Sequence, residues 1–148
     1  MTDAALPRIL VVEDNPTNRL VISAMLRGHA EVEMAEDGRE GLARLRRARF
    51  DGAFVDIRMP VMDGEAMAAR WREVEAAEGR TRLPLAACTS NVQPGEVRRI
   101  EAAGFDRHIE KPVMIPRLRE IVTWMAGAPF APAGPAAPRA AAPAAAAR

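Results

Sequence analysis

The chain has 148 residues, enough for one domain of ordinary size with a core of its own. Its 21 lysines and arginines nearly balance 20 aspartates and glutamates, which argues against a bulk electrostatic grip on nucleic acid or on an anionic membrane. No apolar run approaches the roughly 18 to 20 residues of a membrane helix, MTDAALPR lacks the regions of a signal peptide, and the single Cys88 cannot close an internal disulfide, so cytoplasmic residence is the default expectation.

After a short arm over residues 1–7, Ile9–Val12 is a continuous apolar run ending at Glu13 and Asp14, which predicts a buried parallel strand. Asn15 followed by Pro16 predicts a helix start, an N-cap and then proline at the first helical position. Leu20, Val21, Ala24 and Met25 give that helix an apolar stripe, and Gly28 is placed to end it. Glu31–Ala35 alternates as an edge strand does, with Val32 and Met34 on one face. Gly38–Arg47 predicts a helix with Leu42 and Leu45 inward and its arginines outward. Ala53–Val55 is the next buried strand, again ending on a carboxylate, Asp56. Asp63 caps a long helix reaching about Glu78, and Leu83–Cys88 is a strand ending at Thr89. Pro94 opens a helix closed by Gly104, Arg107–Ile109 is a short strand ending near Lys111, and Pro116 opens a last helix to about Ala126.

Five strands and five helices in strict alternation predict a doubly wound α/β fold with a parallel sheet over residues 8–126. The remaining segment, 127–148, holds 12 alanines and 5 prolines, offers almost nothing to bury, and reads as a flexible tail or linker.

In an open α/β sheet, ligands bind beyond the carboxyl ends of the strands. The residues there are Glu13, Asp14, Asp56, Thr89 and Lys111. Three carboxylates held close repel one another unless a cation intervenes. An all-oxygen donor set with room for water suits magnesium. A carboxylate oxygen could then attack phosphorus, with Lys111 and the Thr89 hydroxyl bonding phosphoryl oxygens. A strand-terminal aspartate alone is often only a helix cap, so it is the joint pattern at successive strand ends that is specific.

The stretches ILVVEDNPTNR, FVDIRMPVMDG, LAACTSN and IEKPV resemble the four signature segments of response-regulator receiver domains, in the same order and over residues 8–126. The wording EDNPTNR and an extended loop around Ala77–Arg82 are most similar to receivers attached to hybrid histidine kinases. The resemblance implies a flavodoxin-like sheet of order 2-1-3-4-5 and a Mg2+-dependent switch. In it Asp56 accepts a phosphoryl group from a histidine kinase or a histidine phosphotransfer protein. Asp14 and Asp56 are implied as direct magnesium ligands, Glu13 as one acting through water, and Arg58 as the donor of a backbone carbonyl. Thr89 and Lys111 are implied to bond the phosphoryl group, the Lys111–Pro112 peptide to be cis, and the surface near the fourth and fifth strands to carry the output toward a downstream protein. No direct nucleic-acid or membrane partner is expected.

Two positions depart from the commonest pattern. The switch position on the fifth strand, often tyrosine or phenylalanine, is His108, and the chain has no tyrosine. Arg58 stands where methionine is frequent; with Asn91 it occupies a position resembling those that tune phosphoryl lifetime, and it is expected to shield the acyl phosphate. Other readings fit less well. A haloacid-dehalogenase-type hydrolase needs a second aspartate two residues after the nucleophile, where Arg58 stands. A flavin binder needs a Ser/Thr/Gly-rich loop where EDNPTNR stands. A degenerate, unphosphorylated receiver would lack some of the five site residues, and all are present.

Overall fold

The computed structural model of the chain describes residues 5–127. The elements are β1 (Arg8–Val12), α1 (Pro16–Met25), β2 (Glu31–Ala35), α2 (Gly38–Arg47), β3 (Gly52–Asp56), α3 (Gly64–Glu78), β4 (Leu85–Thr89), α4 (Pro94–Ala103), β5 (Arg107–Glu110) and α5 (Ile115–Gly127). The strands lie in the order β2-β1-β3-β4-β5, every neighbouring pair parallel. This is the doubly wound α/β sheet expected from the alternation. The segment expected to form a tail lies, from residue 128 onward, outside the described residues.

Alternating side chains of the central strands divide the core in two. Leu10, Val12, Val55 and Leu85 pack with Leu45, Met67, Trp71 and Ile100, so α2, α3 and α4 cover one face. Ile9, Val11, Phe54 and Ile109 pack with Ile22, Leu26, Leu118, Ile121 and Met125, so α1 and α5 cover the other. The strands β1, β3 and β4 are buried on both faces, which is why each reads as an unbroken apolar run. The register sets Asp56 beside Cys88 and Thr89 beside Glu110, so the charged strand ends come out at one edge.

The apolar stripe of α1 is not the one expected. Ile22 and Leu26 are buried and Met25 partly so, whereas Leu20 is 72% exposed and Val21 44% exposed. The pair Ile22 and Leu26, one turn apart, fixes the rotation of the helix against β1 and α5, and this leaves Leu20, Val21 and Ala24 outside. The helix ends at Met25, and Gly28, at φ +82°, occupies the turn that follows. The loop after α3 begins at Gly79, at φ +65°, so Ala77 and Glu78 are still helical. β4 starts at Leu85 rather than Leu83: the Leu83 N–H donates to Glu75 Oε2 at 2.7 Å and Pro84 has no N–H to give a ladder.

Candidate functional site

The C-terminal edge of the sheet carries a cleft of about 250 Å³, and Glu13, Asp14, Asp56, Arg58, Thr89 and Lys111 all line it. Glu13 and Asp14 follow β1, Asp56 closes β3, Thr89 closes β4 and Lys111 follows β5. Gly64, first residue of α3, makes this possible: a Cβ there would collide with the Asp56 carbonyl oxygen, so the helix start sits directly on the strand end. The Asp63 carboxylate caps that helix, accepting the Ala66 N–H at 2.8 Å.

One carboxylate oxygen each from Glu13, Asp14 and Asp56 lies within 4.8 Å of the other two. Glu13 is 2% exposed and Asp56 6% exposed, while Asp14 is open to solvent. Lys111 Nζ donates to Asp56 Oδ1 at 3.0 Å and lies 3.6 Å from Glu13 Oε1. The Arg58 N–H reaches the same Oδ1 at 3.4 Å. Among the described residues Asp56 Oδ2 accepts no hydrogen bond, which leaves it available to a ligand.

Electrostatics follow from this crowding. Burial, and then the negative charge of Asp56, raise the Glu13 carboxyl above the usual range, against the opposing pull of the Asn15 N–H and Lys111. Burial works to lower the Lys111 ammonium, but the hydrogen bond and charge of Asp56 outweigh it and hold the ammonium above its usual value. Burial pushes the thiol of Cys88, a buried residue of β4, up to about 12. One lysine against three carboxylates leaves a net negative, all-oxygen pocket, and these donors fit a small hard divalent cation.

Thr89 is buried, and its hydroxyl is held by the loop after β4: it donates to the Asn91 carbonyl at 3.2 Å and accepts the Asn91 N–H at 3.0 Å. The Asn91 side chain accepts from the Gln93 N–H at 3.1 Å, ahead of α4, and does not line the cleft. His108 lines a separate, adjoining cavity of about 480 Å³ together with Val92, Glu110, Lys111, Met114 and Arg117. The Lys111–Pro112 peptide is cis. Arg58 is exposed at the cleft.

Three residues of the site were not foreseen from sequence. The Asn15 N–H donates to Glu13 Oε2 at 3.1 Å, the Asn18 amide reaches the same oxygen at 3.4 Å, and Arg19 donates to the Glu13 carbonyl at 2.8 Å. The signal was present in the Asn15–Pro16 start: it sets the first turn of α1 directly over the end of β1, so residues 18 and 19 face back toward it.

A family model described as the response regulator receiver domain matches residues 9–123. The sensor protein GacS of Pseudomonas syringae is 32% identical over 117 residues, which cover 78% of this chain and 13% of that protein. The chain thus spans a small fraction of the length of this curated relative. The receiver domain of a Pseudomonas aeruginosa sensor histidine kinase, solved with a magnesium ion coordinated in its active-site cleft, superposes with a TM-score of 0.74 at 34% identity, covering 83% of this chain and 99% of that one. The receiver of the Saccharomyces cerevisiae response regulator Ssk1, solved with the histidine phosphotransfer protein Ypd1, gives a TM-score of 0.76 at 22% identity, over 84% and 92% of the two chains. At that identity the likeness is one of fold.

Proposed function

Because the chain belongs to the response-regulator receiver family, whose members are signalling switches of two-component and phosphorelay systems, we propose that Asp56 is its phosphoacceptor and that the neighbouring strand ends serve that one transfer. The observation that carries this reading is the convergence of Glu13, Asp14, Asp56, Thr89 and Lys111 on one cleft from four strands. Asp56 Oδ2, the oxygen without a hydrogen bond, attacks phosphorus of a phosphohistidine or of a small acyl phosphate. The new O–P bond forms as the P–N bond, or the P–O bond of the acyl phosphate, breaks; a departing imidazole takes its proton from water.

Asp14 and Asp56, the Arg58 carbonyl and, through water, Glu13 are the groups that would hold magnesium. Bound there, the ion would supply positive charge against the carboxylates and the phosphoryl oxygens. Lys111, fixed 3.0 Å from Asp56 Oδ1, is placed to pair with a phosphoryl oxygen. Positioning and fixed charge supply the assistance the domain gives to its own phosphorylation and dephosphorylation.

To donate to a phosphoryl oxygen, the Thr89 hydroxyl has to give up its donation to the Asn91 carbonyl. Releasing that loop frees the surface of β4 and β5 to repack, with His108 turning in the adjoining cavity in the role often held by an aromatic ring. Arg58, exposed at the cleft, is the side chain placed to shield the acyl phosphate; Asn91, bonded toward α4, acts on lifetime through the loop that holds Thr89.

The donor is proposed to be a histidine kinase or a histidine phosphotransfer protein. Among the described residues, seven large hydrophobic side chains are exposed; Leu20 and Val21 lie on α1, and Val61, Val92, Met114 and Ile115 lie in or at the end of the loops that follow β3, β4 and β5. Such exposed apolar side chains suit a protein face better than a small molecule. No helix among the described residues is long and apolar enough to cross a membrane.

The test is uptake of one phosphoryl group from acetyl phosphate, read by intact-protein mass. Uptake is expected with Mg2+, to vanish with EDTA, and to vanish in Asp56→Asn. Unchanged uptake in Asp56→Asn would sink the assignment. Followed over time, the same assay is expected to show faster loss of the label in Arg58→Met.

A further inference from the structure

Glu13 is the most enclosed of the three carboxylates, and its orientation is set from α1. Oε2 takes two donors, the Asn15 N–H at 3.1 Å and the Asn18 side-chain amide at 3.4 Å. The Asn18 N–H in turn donates to Asn15 Oδ1 at 3.0 Å, so the first turn of the helix is locked by the same two asparagines. Of the two donors to Oε2, only the Asn18 amide can be deleted by substitution, since the other belongs to the backbone. Asn18 is itself exposed and lines the cleft, so its side chain supports no core packing.

We propose that Asn18 is a positioning residue for the divalent cation: its amide holds the Glu13 carboxylate in the orientation that keeps it within 4.8 Å of the Asp14 and Asp56 oxygens. Without that amide the carboxylate keeps one neutral donor at Oε2 and the pull of Lys111 Nζ, 3.6 Å from Oε1, so its orientation is no longer fixed from both sides. Groups that orient metal-binding carboxylates without touching the metal commonly change affinity by about 10- to 100-fold when removed. Because Glu13 acts through water and Asn18 makes the longer of its two hydrogen bonds, the effect of Asn18 belongs at the lower end of that range. The same contact ties the metal site to α1, whose outer face presents Leu20 and Val21 to solvent. The inference rests on the receiver reading.

The test is Mg2+ titration of the full 148-residue chain by calorimetry, without any phosphodonor. Asn18→Leu, close in shape but without a donor, is expected to raise the Mg2+ Kd by about tenfold, with the metal-free melting temperature checking that it folds; Asn18→Ala gives a second, smaller replacement. In a Glu13→Ala background the same substitution is expected to add nothing, because the route through Glu13 is gone. An unchanged Kd in both Asn18 variants, or an equal loss with and without Glu13, overturns the role of Asn18 and leaves the receiver reading standing. A wild-type chain that binds no Mg2+ overturns both.

Discussion

Buried carboxylates gather at both edges of the sheet, and the two edges treat them in opposite ways. At the amino-terminal edge, Glu75 and Asp106 have side chains 0% and 3% exposed, and every oxygen is bonded. Arg72 bridges them at 2.8 Å and 3.0 Å, Arg82 completes Asp106 at 3.0 Å, and the N–H groups of Leu83 and Leu85 fill the rest. Arg72 also donates to the Gly104 carbonyl at 2.9 Å, which joins α3 to the turn after α4. Burial lowers the Arg72 guanidinium, opposed by Asp106 and then Glu75. At the carboxyl-terminal edge three carboxylates share one lysine, Asp56 Oδ2 is unbonded among the described residues, and the Glu13 carboxyl is raised. A structural network closes its hydrogen bonds within the fold; a binding site leaves the balance to its ligand.

The comparison breaks most visibly at the closed edge. Asp106→Ala leaves Arg72 and Arg82 short of a partner and the Leu85 N–H unsatisfied, and it is expected to cost about 3 kcal/mol, as the loss of one partner from a buried pair does. Asp14→Asn, at the open edge, removes an exposed charge from a repulsive cluster and is expected to change stability by less than about 0.5 kcal/mol in metal-free buffer. Urea denaturation of both variants measures the contrast. Equal effects would mean that the two edges are not organised differently.

The pH dependence separates the edges next, with a smaller effect. The folded Glu13 carboxyl is raised above its ordinary value of 4.5, so between 4.5 and its folded value the native state binds more protons than the unfolded state. Stability attributable to this group is therefore present at low pH and is lost as pH rises through that window. Glu13→Gln is expected to abolish this loss, so the stability difference between variant and wild type grows in favour of the variant from about pH 4.5 upward. Added Mg2+ is expected to reverse the order at neutral pH, since an ion held by the proposed wild-type cluster would stabilise only the native state. Melting temperatures across pH 4 to 8, with EDTA or Mg2+, decide it; a variant curve parallel to wild type in EDTA would exclude Glu13 as the source.

The open edge was largely legible in the sequence and the closed edge was not. Glu13, Asp56 and Thr89 stand at the ends of unbroken apolar runs, and a buried strand has to place its last residue at the sheet edge, so position follows from pattern alone. Arg72, Glu75 and Arg82 stand in stretches where charges read as solvated surface. Only the packing of α3 against β4 and β5 brings them to Asp106. The phase of α1 failed in part for a related reason: Leu20, Val21 and Ala24 make with Met25 as good a stripe as Ile22 and Leu26 make with the same Met25. What chooses between them is the contact with Phe54 and α5, residues distant in sequence. Asn18 lay beyond pattern as well, because its function depends on one carboxylate a turn below the helix.

The last contrast between the edges lies in the backbone. Gly28, Gly79 and Gly104, following α1, α3 and α4, take positive φ of 82°, 65° and 120°, where glycine bears no steric cost. The remaining described residue with positive φ is Val61, at 70°, in the loop between Asp56 and α3. A β-branched side chain is strained there. It is also 70% exposed, so no packing offsets the strain. The open edge thus holds strain that the closed edge avoids by using glycine. Asn tolerates this conformation, and Val61→Asn is expected to stabilise the metal-free protein by about 1 kcal/mol while leaving the Mg2+ Kd unchanged, since Val61 does not line the cleft. If stability rises and metal affinity falls together, the strained loop is part of the site and the open edge extends to Val61. If neither changes, the loop adopts a different backbone and the distinction between the edges rests on side chains alone.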